Sequence, residues 1–355
     1  MSTAMTPEQR FLTTIRRQEP DQVPACPWLT SAFYSNHYGI DHGQWYGDRE
    51  IQLRAMVEFY SRFPDMQYFP GFRASFGSTV EASGLGCEIV ALPGQSLHAN
   101  PVVKDLKTDV PKLRVPDPAR DGRLPEVIDH FRWLSEKLPE HGFEVTAGFF
   151  HVPFDVATLV RGTTELLMDL YLDPDGVHAL LEVTTEACIV FMRAQWEACG
   201  GTMRQIMFSD DAGAQLSPKH WEEFSGRYIR RVVEAIPEGP VIICHNCDKV
   251  SHIIDMYPDT GIDALHLAPE IDIAEAKKRV GDRICLIGNM HQLQTLLNGT
   301  PEDVEEECRE MIAKAAPGGG FILSASGCLS EGTPLENIEA MVRSAELYGK
   351  YPISS

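Results

Sequence analysis

Pro240-Val-Ile-Ile-Cys-His-Asn-Cys-Asp248 reads as a buried strand that ends on chemistry. Its apolar run enters His245 and Cys247, which are separated by one residue. On an extended chain, residues two apart leave the same face, so an imidazole and a thiol point the same way at the strand end. Zinc favours such donors. Ser324-Ala-Ser-Gly-Cys328, at the end of a similar strand far along the chain, offers a second thiol. Together the three would hold one Zn²⁺ and leave a coordination position open. The other reading of Cys247 and Cys328 is as small buried hydrophobes, as most free cysteines are.

Outward from this strand, the chain alternates strand and helix. A helix capped by Thr6, with Pro7 in its first turn, runs to Arg17. Short extended segments follow near 23 and 66, with a helix over 48–61 between them. From Leu124 the pattern becomes regular: strands near 144, 203, 240, 262, 283 and 319 alternate with helices, among them 155–171, 174–199 and 217–235. Repeated β-then-α units imply a parallel sheet, and eight strands imply a closed (β/α)₈ TIM barrel. The expectation is an α/β fold in which residues 1–355 form one barrel domain with an N-terminal helical segment. Residues 71–118, rich in glycine and proline, read as an irregular excursion with a hairpin, placed as a lid. An open doubly wound sheet is the alternative, but no strand is followed by a Gly-x-Gly-x-x-Gly turn.

Charge excludes some partners. Lys and Arg number 31 against 51 Asp and Glu, a formal net charge of −20, which disfavours nucleic acid and anionic membranes. No apolar run reaches transmembrane length. The first residues lack the apolar core of a secretory signal, and nine scattered cysteines make no disulfide framework. The expected setting is a reducing cytoplasm.

Barrel chemistry gathers where strands end, and the expected strand ends carry Phe149-Phe-His151, Ser209-Asp-Asp211, His245-Asn-Cys247, His266, Gly288-Asn-Met-His291 and Cys328. His151 and Asp211 are candidates to move a proton. Trp28, Phe149 and Phe150 could wall an aromatic ring, and Asp210, His266 and Asn289 could bind substrate. Each has a plainer reading: Asp210 or Asp211 as a turn cap, the histidines as local hydrogen-bonding groups, the aromatics as core.

Phe154-Asp-Val-Ala-Thr-Leu-Val-Arg-Gly162, Ser209-Asp-Asp-Ala-Gly213, His245-Asn-Cys247, Ile287-Gly-Asn289 with Leu296–Pro301, and Gly320–Ser324 through Cys328 to Asn337 resemble, in order, the uroporphyrinogen decarboxylase superfamily. Within it they resemble the zinc-dependent, corrinoid-linked methyltransferase branch. That resemblance implies a (β/α)₈ barrel and a zinc ion on His245, Cys247 and Cys328. It also implies methyl transfer between a small methylated substrate and the cobalt of a separate corrinoid protein. The corrinoid belongs to a partner, because the Asp-x-His-x-x-Gly signature of a corrinoid-binding domain does not occur. Asp210–Gln215 resembles the members that take a methyl group from an aromatic methyl ether. The alternatives are members that methylate a thiol such as coenzyme M, a decarboxylase, and a non-catalytic zinc-binding protein. The arginine-rich segment that decarboxylases carry after the first strand is replaced here by Pro27-Trp-Leu-Thr-Ser-Ala-Phe-Tyr34, which has no arginine. A homodimer is compatible with this reading.

Overall fold

The computed structural model describes residues 4–353 apart from 65, 68, 70 and 91–96. The chain folds as two compact units. One takes in the N-terminal segment up to Phe72, Val241–Pro258 and the residues from Ile262 on; the other is Arg73–Pro240 with Asp259–Gly261. In order, the strands are β1 (Glu88–Val90), β2 (His98–Asn100), β3 (Ala147–His151), β4 (Gln205–Ser209), β5 (Val241–Asn246), β6 (Ala264–Leu267), β7 (Cys285–Met290) and β8 (Phe321–Ala325).

In the first unit β5, β6, β7 and β8 pair in parallel, each with the next. Every residue of β6, β7 and β8 is buried, as expected of parallel strands covered on both faces by crossover helices. Those helices start where the sequence places caps. Asp272 accepts from Ala274 and Glu275, and Thr300 and Asp303 form a capping box ahead of Pro301–Ala315. The N-terminal helix is Pro7–Ile15, closed by a capping box of Thr6 and Gln9.

The expected strands near 23 and 66 are shorter than anticipated. Ala25 bridges Leu323 and Trp28 bridges Phe69, both in parallel. Cys26 N–H donates to the Leu323 carbonyl (2.8 Å), and Leu323 N–H donates to the Pro24 carbonyl (3.0 Å). Pro24 and Pro27 have no N–H to give, so the ladder cannot lengthen. Part of the second stretch, Tyr68, lies outside the described residues.

In the second unit β3 and β4 are parallel, with Ala147 opposite Gln205 and His151 opposite Ser209. Gln195, from the helix Pro174–Ala198, engages the backbone of Phe149: its Oε1 accepts from Phe149 N–H (3.1 Å) and its Nε2 donates to the Phe149 carbonyl (3.0 Å). The single helix expected over 155–171 is two, Pro153–Arg161 and Thr163–Leu172. Gly162, at a φ of +99°, breaks it. The helix from Pro218 contains a π-helical turn over Glu222–Gly226. The hairpin expected in 71–118 is present, with Glu88 opposite Asn100 and Val90 opposite His98. It follows a short helix, Val80–Gly84, whose Glu81 is buried. No helix among the described residues is long and apolar enough to cross a membrane.

Candidate functional site

At the carboxyl end of β5 the ligand atoms of His245 and Cys247 come together, while the Cys328 sulfur, in the segment after β8, is not grouped with them in this structure. His245 and Cys247 present a ring nitrogen and a sulfur within 4.8 Å of each other, as the alternation along an extended chain requires. Cys328 lies three residues beyond the end of β8. Of the nine cysteines, Cys247 and Cys328 are exposed and the other seven are buried. The reading of these two as buried hydrophobes therefore fails, and it holds for the rest. Burial pushes the Cys26 and Cys188 thiols well above the ordinary range, so they stay neutral.

Behind His245 stands a second histidine. His245 and His266 face each other in the β5–β6 register, with their Nδ1 atoms 2.7 Å apart. His266 Nε2 is 2.8 Å from the carbonyl oxygen of Ala325, the last residue of β8. The Trp28 ring meets His245 edge-on at 4.4 Å and His266 at 5.3 Å, and Phe69 packs on His266 at 5.4 Å. Trp28 is therefore part of the wall that fixes the histidine rings. His266 is fully buried and partnered on both ring nitrogens, so the expectation that it binds substrate is corrected: its ring faces His245 and the Ala325 carbonyl instead. Asn289, also expected to meet substrate, donates to the carbonyls of Ala268 (2.9 Å) and Ile271 (2.8 Å), which ties the loop after β6 to β7.

In the second unit the ends of β3 and β4 carry acid–base groups. His151 Nδ1 lies 3.1 Å and 3.3 Å from the two oxygens of Glu81, and the His151 backbone N–H donates to Glu81 (2.8 Å). Burial pulls the His151 pKa down. The adjacent Glu81 charge, its hydrogen bond, Asp155 and Asp211 outweigh that pull and leave it raised. Because a carboxylate only accepts, Nδ1 carries a proton and Nε2 is the position that exchanges one.

Asp155 accepts from the backbone of Asp211 (3.0 Å) and Ala212 (2.9 Å) and from Ser209 Oγ (3.3 Å). It thus anchors the turn that presents the half-buried Asp211. Burial, then Asp211 and Asp210, push the Asp155 pKa well above the carboxylate range, against His151 and the Ala212 N–H. Asp210 is fully buried, accepting from Trp221 Nε1 and Ser225 Oγ at 2.8 Å each. It holds the following helix, which corrects the expectation that it binds substrate. Phe150 is likewise core, packed on Phe208. Phe149 points the other way along the strand and is partly exposed under the Arg73 guanidinium, 4.6 Å from the ring centre.

Glu81 and Asp155 were not singled out by sequence reasoning. Asp155 had a signal: a carboxylate inside the apolar run Pro153-Phe-Asp-Val-Ala, one turn past a strand. Glu81 had none, since its partner is 70 residues away.

An α/β fold with imidazole, thiol and carboxylate groups at the carboxyl ends of parallel strands defines the class: a (β/α)₈-barrel enzyme. The chain belongs to the uroporphyrinogen decarboxylase (URO-D) family, which it matches over residues 6–348. It is similar to a uroporphyrinogen decarboxylase of Methylobacillus flagellatus, at 32% identity over 247 residues and 67% of each chain. It is also similar to a methylcobamide:CoM methyltransferase of Methanosarcina acetivorans, at 26% over 350 residues, 98% of this chain and 99% of that one. Among solved structures, a methyltransferase from Methanosarcina mazei shares the fold with a TM-score of 0.82, at 22% identity over 97% of this chain and 99% of that one.

Proposed function

We propose that the protein is a zinc-dependent methyltransferase that moves a methyl group from a small methylated substrate, an aromatic methyl ether, to the cobalt of a separate corrinoid protein. The observation that carries this reading is the exposure of two thiols out of nine, both at strand ends, one of them beside His245. One imidazole and two thiols fit zinc, and three protein ligands leave a position for substrate. Bound there, zinc would supply a Lewis acid softened by two thiolates, suited to an ether oxygen or a sulfur.

The protein's own groups favour the ether. A thiol acceptor must lose a proton, whereas the oxygen left by demethylation must gain one. In the second unit, His151 is held protonated above its ordinary range by Glu81, which is the kind of group the second task needs. Asp155 holds in place the turn that carries Asp211. Phe149 offers an aromatic face.

A decarboxylase acting on a tetrapyrrole would need guanidinium groups for its carboxylates, and Pro27–Tyr34 supplies none. The thiol reading is favoured by the name of the M. acetivorans relative, a methylcobamide:CoM methyltransferase.

The test has two parts. Elemental analysis should find zinc in the native protein and little in Cys247→Ala or Cys328→Ala; unchanged zinc in both variants rules the site out. Mixed with a reduced corrinoid protein, the native enzyme should change the cobalt spectrum with methoxylated aromatics. A response to methylated thiols alone would reverse the substrate assignment.

A further inference from the structure

We infer that the second unit carries a binding site for a small organic acid, in a cleft between the helices Leu124–Lys137 and Pro174–Ala198. The cleft holds about 530 Å³, inside the range usual for small-ligand sites, roughly 300–1,000 Å³. None of the strand-end groups lines it, so the inference is independent of the methyl-transfer reading.

Helical spacing builds the walls. Pro125, Ile128 and Arg132 recur three and four residues apart on one helix, and Val190, Ala194 and Ala198 four apart on the other. Each set therefore shares one helix face. Ile128 is buried, while Val190, Ala194 and Ala198 are half-buried, and together they make an apolar floor. The two alanines give the cleft its depth, because longer side chains at those positions would fill the space between the helices.

The rim decides the class of ligand. Arg132 and Arg193 both line the cleft, and neither has an ion pair or hydrogen bond among the described residues. Exposed arginines are often simply solvated. In this unit, however, Arg114, Arg123, Arg161, Arg204 and Arg231 each sit 2.6–3.2 Å from a carboxylate oxygen. The chain's net charge is −20, so carboxylates are plentiful. Two arginines left over on the walls of one cleft offer their planar forks to an anion from outside.

The neighbouring carboxylates limit the charge of that anion. Asp117 is already engaged, accepting from the Ala119 N–H at 2.9 Å and pairing with Arg120 at 3.6 Å. Glu197 follows Arg193 by four residues and lines the same cleft, yet it forms no ion pair among the described residues. A cation placed before its anion is the weaker order on a helix. Two guanidiniums against this one carboxylate leave a surplus of a single positive charge. That suits a monocarboxylate and disfavours a dianion, which Glu197 would repel. The floor then selects an acid with an apolar body.

Cinnamate serves as the probe, with cinnamyl alcohol as its neutral counterpart and inorganic phosphate as a bare anion. In native protein labelled with ¹³C at the alanine methyls, cinnamate should shift the NMR signals of Ala194 and Ala198 saturably. The alcohol should bind about tenfold more weakly or worse, since it lacks both charge-assisted contacts, and phosphate should leave the two methyls unmoved. Arg132→Gln and Arg193→Gln should each weaken cinnamate about 3–10-fold, the effect of a charge-assisted bond discounted for solvent. Ala194→Leu should abolish binding with both arginines in place.

Unmoved Ala194 and Ala198 methyls at about 10 mM cinnamate, where even a contact worth about 4 kcal/mol would be seen, refute the site. Equal affinity for the alcohol refutes the acid, and an equal response to phosphate refutes the apolar body. Unchanged cinnamate affinity in both arginine variants refutes their role as anchors. Melting curves check that each variant is folded; should one not be, the three probes on native protein decide the matter alone.

Discussion

Replacing Glu81 by Gln removes one charge and changes the shape little. In the native pair the carboxylate accepts from both the backbone N–H and the Nδ1–H of His151. The variant's amide oxygen still serves the backbone, but its NH₂ replaces the second oxygen, 3.3 Å from Nδ1, and turns a donor toward a donor. A hydrogen bond to a charged partner is worth about 1.5–3 kcal/mol, which is the expected loss while His151 is protonated. The groups that face His151 are Glu81, Asp155 and Asp211, together with Cys188, whose thiol donates to the His151 carbonyl and stays neutral. The native His151 pKa is raised, so its stabilising share is complete below the unfolded value of about 6.5. That share disappears as pH rises through the higher native value. Urea unfolding of native and Glu81→Gln protein from pH 5 to 9 should show a gap of about 1.5–3 kcal/mol at the acid end that closes toward the alkaline end. The His151 midpoint, followed by NMR, should fall in the variant, and the proposed demethylation should fail at lower pH than in native protein. A stability gap that is constant or widens with pH, or a His151 midpoint that does not fall, would refute the pairing.

Asp210→Ala leaves Trp221 Nε1–H and Ser225 O–H without their acceptor in the core, at about 1–3 kcal/mol each. Urea unfolding should show a loss of about 2–5 kcal/mol, and a loss below 1 kcal/mol (roughly one weak hydrogen bond) would show the buried carboxylate to be incidental. Thiol labelling of native protein should modify Cys247 and Cys328 ahead of the seven buried cysteines, and zinc should slow both. Early modification of Cys26 or Cys285 would contradict the burial pattern.

The strand positions and strand-end residues were legible because both are local. Alternating and buried apolar runs announce parallel strands, and His-x-Cys needs only the geometry of an extended chain to place two ligand atoms together. Strand length near Pro24 and Pro27 was misjudged although the cause is also local: a proline gives no N–H, so a segment holding two of them meets its neighbours by single bridges. The roles of His266, Asp210 and Glu81 were not legible, because each depends on which strand or helix lies alongside. His266 looks like any strand-end histidine until the register sets it opposite His245. Asp210 and Asp211 are indistinguishable in sequence, yet one faces Trp221 and Ser225 while the other stands half-buried on a turn held by Asp155.

The same contrast explains where the candidate chemistry sits. Residues whose side chains are consumed by buried partners fix the frame, and this applies to Asp210, Asn289 and His266. The candidate reactive residues are backed by such a residue: His245 by His266, His151 by Glu81, and Asp211, through its backbone, by Asp155. A barrel strand end can carry reactive groups at defined positions only if each is held from behind. The residues that hold them are therefore expected to tolerate substitution as poorly as the reactive groups themselves.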